Sequence, residues 1–114
     1  MGYTGVGELS ALNGVAGAYS EHVPVVHIVG CPSTSLQRAE ALLHHTLGNG
    51  DFQVFKDMYR AISYKQAYLN DPSTAPADID RIISDAFVHA RPVYLMIPTD
   101  IVPKEVSGLA FLGF

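Results

Sequence analysis

The sequence predicts an α/β fold in which helices flank a parallel β-sheet. Two short runs, residues 24–30 and 93–98, are nearly continuously apolar and rich in β-branched side chains, as parallel strands buried on both faces are. Between them, residues 76–90 place apolar side chains on one side of a helix, and Pro76 falls in the first turn, where proline is tolerated. Because helices and strands alternate, right-handed crossovers and a parallel sheet are expected.

Four further segments complete the predicted order of elements. Apolar spacing over residues 9–19 predicts a first helix whose other face carries small residues, so that another backbone can approach closely. Residues 37–43 predict a short helix that ends before a glycine-rich turn. Residues 52–62 predict another amphipathic helix, capped by Asp51, and the alternation over residues 62–68 predicts a third strand.

The composition limits the classes of function. The chain of 114 residues is 48% hydrophobic and 16% charged, which allows one buried core and is unlike a disordered chain. Its formal net charge is -4 and it has no basic run that would follow a phosphate backbone, so nucleic acid is not an expected partner. The apolar runs have the length of strands and are too short to cross a bilayer, so no membrane partner is expected.

The N-terminal segment and the cysteine content favour a cytoplasmic location. Residues 1–5 do not show the charged start and apolar stretch of a secretory signal. Cys31 is the single cysteine, so an internal disulfide cannot form, which fits a reducing compartment.

The glycine-rich segment Gly5-Val6-Gly7-Glu8 at the start of the first helix is a candidate ligand-binding turn. Helix N-termini attract phosphates, but the spacing matches no dinucleotide or P-loop fingerprint, and Glu8 places a negative charge where a phosphate would bind. Stabilisation of the helix N-terminus by Glu8 is the simpler local interpretation. The glycines beside Val6 still leave its backbone open to a flat aromatic ring.

His44 and His45 are the candidate acid-base groups. Two adjacent imidazoles beside a glycine-rich turn place proton donors and acceptors in a loop, and histidine titrates near physiological pH. Spacing alone favours the simpler alternative, in which the two histidines end a helix and face solvent. Both interpretations therefore stay open at the level of spacing.

No metal site is predicted within this chain. The five histidines do not have the spacing of zinc ligands and are accompanied by no cysteine pair. Cys31 follows a strand, where α/β proteins place functional groups, although a lone cysteine is more often a small buried apolar residue. Neither Cys31 nor any serine lies in a recognisable nucleophile motif.

Several segments taken together resemble the pyruvate decarboxylase family of thiamine-diphosphate-dependent 2-oxo acid decarboxylases, especially its fungal members. The segments that carry the resemblance read GVGELSALNG, AYSEHVPV and LLHHTLGNGDF at residues 5–14, 18–25 and 42–52. The similarity covers nearly all of residues 5–106. It implies that residues 1–106 are part of an N-terminal domain that binds the pyrimidine of thiamine diphosphate, and that residues 107–114 form a tail foreign to the family.

The resemblance also implies roles for particular residues. His44 and His45 match the family's paired active-site histidines, which assist proton transfers around the substrate. Val6, between Gly5 and Gly7, matches a residue that contacts the aminopyrimidine ring. The implied reaction is the non-oxidative cleavage of pyruvate to acetaldehyde and carbon dioxide with thiamine diphosphate and Mg²⁺. The implied assembly is a homo-oligomer, a dimer or tetramer, with the small-residue helix at a subunit interface.

Parts that the family requires are expected outside this chain. They are the glutamate that activates the pyrimidine, an aspartate at the substrate, and the domain that holds the diphosphate and Mg²⁺. We therefore expect an incomplete domain with an exposed sheet edge, which does not decarboxylate pyruvate by itself. One alternative is a non-catalytic module that docks onto a full-length decarboxylase. Another is a fragment of a decarboxylase acting on indolepyruvate or phenylpyruvate.

Overall fold

The computed structural model describes residues 5–107 as a short series of alternating helices and strands. A 3-10 helix at the start leads directly into the first α-helix. The elements in chain order are the 3-10 helix Gly5–Ala11, α1 (Leu12–Ser20), β1 (Val26–Cys31), α2 (Thr34–Arg38), α3 (Val54–Met58), the 3-10 helix Arg60–Ile62, β2 (Gln66–Tyr68), α4 (Ala75–His89) and β3 (Val93–Pro98).

The three strands form one parallel sheet with β3 in the centre. The order is β1-β3-β2, in which Val26 lies opposite Val93 and Gln66 lies opposite Tyr94. The predicted α/β fold with a parallel sheet flanked by helices is confirmed. Within residues 5–107, the outer edges of β1 and β2 have no strand partner, which agrees with the expectation of an incomplete sheet.

The central strand β3 separates two hydrophobic clusters, because its side chains alternate between the faces of the sheet. On one face, Val93 and Leu95 pack with Ile82 and Ala86 of α4. On the other face, Tyr94 and Met96 pack with β1, α1 and the segment after α3. This burial on both faces explains why residues 93–98 read as an uninterrupted apolar run.

Helix α4 has the bounds that the sequence predicted to within one residue. Its first turn contains a proline, and its C-cap is Ala90, which adopts a left-handed conformation with φ of 49°. The backbone N–H of Arg91 donates to the carbonyl of Ala86 at 3.2 Å, and Pro92 follows at once. A left-handed cap followed by proline is a physical stop for a helix.

The predicted helix over residues 37–43 is wrong, because α2 begins and ends earlier. The side chain of Ser33 accepts a hydrogen bond from the N–H of Leu36 at 3.3 Å and so fixes the start of α2. Glu40 has a positive φ of 49°, which cannot continue a helix. The chain therefore reaches the two histidines as an irregular loop and not as a helix end.

Two other predicted elements are shorter than expected. The helix predicted over residues 52–62 divides into α3 and a 3-10 turn, and Asp51 accepts from the N–H of Gln53 at 2.9 Å in a local turn instead of capping α3. The third strand spans only Gln66–Tyr68, because Ile62 belongs to the 3-10 turn.

Of the predicted tail, only residue 107 lies within the described residues. No helix between residues 5 and 107 combines the length and apolarity that a membrane span requires.

Candidate functional site

A cavity of about 210 Å³ opens at the carboxyl ends of β1 and β3. Its wall includes Cys31 at the end of β1 and Met96 in β3, together with the loop that carries the two histidines. In open parallel sheets, ligands bind in the crevice outside the carboxyl ends of the strands. The position of the cavity therefore marks it as the candidate active site.

The glycine turn and the histidine loop, which were predicted separately, are in direct contact. The backbone N–H of Val6 donates to the carbonyl of His45 at 3.2 Å. A Cβ atom on Gly5 would lie 1.8 Å from that same carbonyl oxygen, and Gly5 has a φ of +71°. Only glycine satisfies both conditions, so Gly5 is required for the two segments to approach this closely.

His44 and His45 both line the cavity, and their side chains are exposed. Their ring centroids lie 4.7 Å apart at an interplanar angle of 63°, and His45 has a φ of 62°. The loop is stabilised by Thr46, whose hydroxyl donates to the carbonyl of Leu43 at 2.5 Å and accepts from the N–H of Gly48 at 3.3 Å. Two accessible imidazoles at a cavity rim can exchange protons with a bound molecule.

Glu8 is a buried carboxyl in the wall of the same cavity. Its residue exposure is 3%, and the hydroxyl of Tyr94 donates to Oε1 at 2.6 Å. The hydroxyl of Tyr59 donates to the backbone carbonyl of Glu8. Burial raises the pKa of Glu8 above its usual value, and the Tyr94 hydrogen bond partly opposes that rise. The carboxyl is therefore easier to protonate than an ordinary glutamate.

The sequence contained a signal for this buried carboxyl that local reasoning missed. Glu8 precedes Leu12 and Val15 by four and seven residues, which places it on the apolar side of the helical segment. A tyrosine inside a buried strand also requires a hydrogen-bond partner, and Tyr94 finds Glu8. The interpretation of Glu8 as only an N-terminal charge was therefore too simple.

Cys31 is a buried thiol without nucleophilic character. Burial raises its pKa to about 12, and a hydrogen bond from the Gln37 side-chain amide at 3.5 Å lowers it only partly. The thiolate is the reactive form of cysteine, and it is not populated near neutral pH at such a pKa. The structure supports the interpretation of Cys31 as a small apolar wall residue.

The lining of the cavity is mainly apolar and, among residues 5–107, contains acidic side chains but no lysine or arginine. It suits a neutral aromatic ring, and it does not suit a diphosphate group. Gly5 belongs to the lining, whereas Val6 and Gly7 do not, and the Val6 residue is 49% exposed beside the cavity. Their predicted contact with a cofactor ring stays a prediction. The large apolar lining residues are Leu36, Leu43, Phe52, Phe55 and Met96.

A metal site is likewise not formed by the part of the chain that the structure describes. No group of three or more histidine, cysteine, aspartate or glutamate side chains is placed to hold a metal ion there.

Comparison with known proteins gives a consistent result. The sequence-family model described as thiamine pyrophosphate enzyme, N-terminal TPP binding domain, matches residues 1–56. The chain is 58% identical over 104 residues to pyruvate decarboxylase isozyme 1 of Saccharomyces cerevisiae and 59% identical over 104 residues to pyruvate decarboxylase of Kluyveromyces lactis. It is 55% identical over 102 residues to pyruvate decarboxylase of Candida albicans.

These alignments include 90% to 91% of this chain and 18% of the length of each of the three relatives. The parallel sheet with flanking helices is the architecture expected from the sequence resemblance, and the domain match agrees with it. The chain belongs to the family of thiamine pyrophosphate enzymes, as part of the N-terminal domain, and its similarity is to fungal pyruvate decarboxylases.

Proposed function

We propose that this chain forms part of the pyrimidine-binding domain of a pyruvate decarboxylase that uses thiamine diphosphate and Mg²⁺. The observation that carries the proposal is the hydrogen bond from Val6 to the carbonyl of His45, which joins the glycine turn to the histidine loop at the cavity. The relatives named pyruvate decarboxylase share 55–59% identity with the chain, which supports the same substrate class.

In this proposal the Gly5–Gly7 turn holds the aminopyrimidine ring, with Val6 as the apolar contact. His44 and His45 hold or deliver protons at the substrate, because both imidazoles are exposed at the rim of the cavity. Thiamine diphosphate supplies the carbanion chemistry that makes decarboxylation of a 2-oxo acid possible. The products are acetaldehyde and carbon dioxide, as in alcoholic fermentation in the cytoplasm.

The diphosphate and Mg²⁺ are proposed to bind residues outside this chain. The cavity wall is acidic at Glu8 and Asp51, which is unfavourable for a diphosphate. We therefore expect the isolated 114-residue chain to show no pyruvate decarboxylation. Activity would require the rest of the family's architecture.

A homo-oligomer, a dimer or tetramer, is part of the proposal. Helix α1 carries Gly14 and Gly17, and a Cβ atom on either would meet no described atom within 4 Å. This face is open to close backbone approach, which supports its assignment to a subunit contact.

A chimeric enzyme tests the proposed function. Residues 5–106 of this chain replace the aligned segment of the Saccharomyces cerevisiae enzyme, and acetaldehyde formation from pyruvate is measured with thiamine diphosphate and Mg²⁺. We expect an active chimera that loses about 10²-fold or more in kcat when His45 is changed to alanine. His89→Gln, on the exposed side of α4, is the matched control and retains activity. A folded chimera that binds the cofactor but does not decarboxylate pyruvate would contradict the proposal.

A further inference from the structure

The proposed function assigns no task to the buried carboxyl of Glu8, although two tyrosines hold this residue. Tyr94 reaches it from β3 and donates to its side chain at 2.6 Å. Tyr59 reaches it from the end of α3 and donates to its backbone carbonyl. One residue is therefore fixed by two elements that are far apart in sequence, at 3% exposure and in the cavity wall.

Glu8 is mechanically connected to the histidine loop through the glycine turn. The turn and Glu8 belong to the same 3-10 helix, Gly5–Ala11. The N–H of Val6 donates to the carbonyl of His45 at 3.2 Å, and Gly5 packs on that carbonyl with no room for a Cβ atom. Because the contact at Gly5 is so close, a displacement of Glu8 must either move His45 as well or break the hydrogen bond between Val6 and the His45 carbonyl.

Stability does not account for a carboxyl at this position. Its burial disfavours the charged form, so a neutral side chain of the same shape would cost less to bury. Groups that are unfavourable for folding and that face a cleft are candidates for a functional role. Glu8 meets both conditions, since it lines the cavity that the histidines also line.

We propose that Glu8 is a positioning residue, whose proton occupancy sets how the Gly5–Gly7 turn sits against His45. When the carboxyl gains or loses its proton, its hydrogen bond with Tyr94 changes in strength, and the 3-10 helix that begins with the turn adjusts. The consequence for catalysis rests on the proposed function, in which the turn holds the aminopyrimidine ring and His45 moves protons.

The protonation of Glu8 has to be distinguished from that of the other titratable groups near it. Burial raises the pKa of Tyr59 and of Cys31 to about 12, and that of Tyr94 also rises, so these groups stay neutral between pH 4 and 8. His27, whose ring contacts both tyrosines, has a pKa lowered by burial. The remaining titratable groups of the cavity wall lie on the loop, namely His44, His45 and Asp51.

Nuclear magnetic resonance of the 114-residue chain between pH 4 and 8 tests the proposal. The Val6 amide shift should follow the carboxyl carbon of Glu8 with the same midpoint. Glu8→Gln keeps the side-chain shape and should remove the part of the Val6 transition that follows the Glu8 carboxyl. Tyr94→Phe removes the donor that stabilises the carboxylate, so the Val6 midpoint should move to higher pH.

Two matched variants serve as controls. Glu105→Gln changes an exposed glutamate, and Tyr68→Phe removes a tyrosine hydroxyl that donates to Gln37 and not to Glu8. Neither should change the midpoint of the Val6 transition. If Tyr94 only stabilised the fold, Tyr94→Phe would lower the stability of the chain without moving the midpoint of the Val6 transition.

The proposal is overturned if the Val6 amide does not follow Glu8, or if Glu8→Gln retains the full transition. Should Glu8→Gln fail to fold, the comparison of the Val6 and Glu8 signals in the unmodified chain decides by itself. Failure of the proposed function is distinguishable, because it shows as an inactive chimera while Val6 still follows Glu8.

Discussion

The two faces of the sheet are built from different side chains. Between the sheet and α4, the cluster is entirely apolar, with Ile82, Ala86, Val93 and Leu95 buried at 3% exposure or less. On the opposite face, the core also contains Tyr59 and Tyr94, and Glu8 and His27 are buried beside them. Burying polar groups costs free energy unless they are well paired. The α4 face thus provides stability, whereas the opposite face carries the groups that form the cavity.

The largest effect should come from emptying the apolar face. Ile82→Ala removes a side chain that is 3% exposed under β3, and we expect a loss of about 3 kcal/mol in the free energy of unfolding. Ile83→Ala, at the next position of the same helix and 37% exposed, should lose under about 1.5 kcal/mol. Urea unfolding followed by circular dichroism measures both. Equal losses would show that α4 does not pack as described.

A smaller effect is expected at the contact between the turn and the loop. Gly5→Ala places a Cβ atom against the carbonyl of His45 at a positive φ, which should lower the free energy of unfolding by about 2 kcal/mol and displace the His45 signals. Gly14→Ala is the matched control, because a Cβ there meets nothing within 4 Å and α1 gains helix propensity, about 0.5–1 kcal/mol. If both substitutions stabilise the chain, the close contact does not exist in solution.

The elements with a strong local signal were the ones that the sequence predicted well. Residues 93–98 are apolar because both clusters use β3, and α4 has a proline start and a left-handed stop. The helix predicted over residues 37–43 failed, because the cap at Ser33 and the left-handed Glu40 are local backbone choices that apolar spacing does not report. Element type was therefore predictable, whereas boundaries were predictable only where strong start and stop signals fix them, as in α4.

The candidate site was predictable as parts but not as an arrangement. The sequence alone shows the adjacent imidazoles of His44 and His45 and the glycine at Gly5. The contact between these two segments depends on the fold, because β1 lies between them in the chain. Glu8 escaped because charge at a helix start has a simple local explanation, and only the fold places Tyr94 against it. Long-range hydrogen bonds of this kind leave little trace in the spacing of one sequence.

The stability of the face of the sheet opposite α4 should depend on pH, in a direction that Glu8 determines. Its pKa is raised in the folded state, so its stabilising contribution is present below the usual value of 4.5 and is lost as the pH rises through the folded-state pKa. Glu8→Gln should therefore gain about 1 kcal/mol over the unmodified chain at pH 8 and little at pH 4. Glu105→Gln, which removes an exposed carboxyl, is the matched control. A gain that is equal at both pH values would contradict the assignment.

The smallest effect is expected from His27, which titrates in the opposite sense. Its ring is packed between Tyr59 and Tyr94 at centroid distances of 4.6 and 5.3 Å, and neither ring nitrogen has a hydrogen-bond partner among residues 5–107. Burial lowers its pKa below 6.5, so the unfolded chain binds a proton more readily and stability falls as the pH drops through the folded-state pKa.

His27→Leu should remove this acid-dependent loss of stability, because leucine is neutral at both pH 8 and pH 5. The loss that it removes between these pH values should be under about 1 kcal/mol. His22→Asn is the control, since His22 is exposed and asparagine tolerates its positive φ of 58°. Thermal unfolding at the two pH values measures the difference. If His27→Leu keeps the acid-dependent loss, that loss does not come from His27. The contrast between the two faces of the sheet would then rest on Glu8 and its two tyrosines alone.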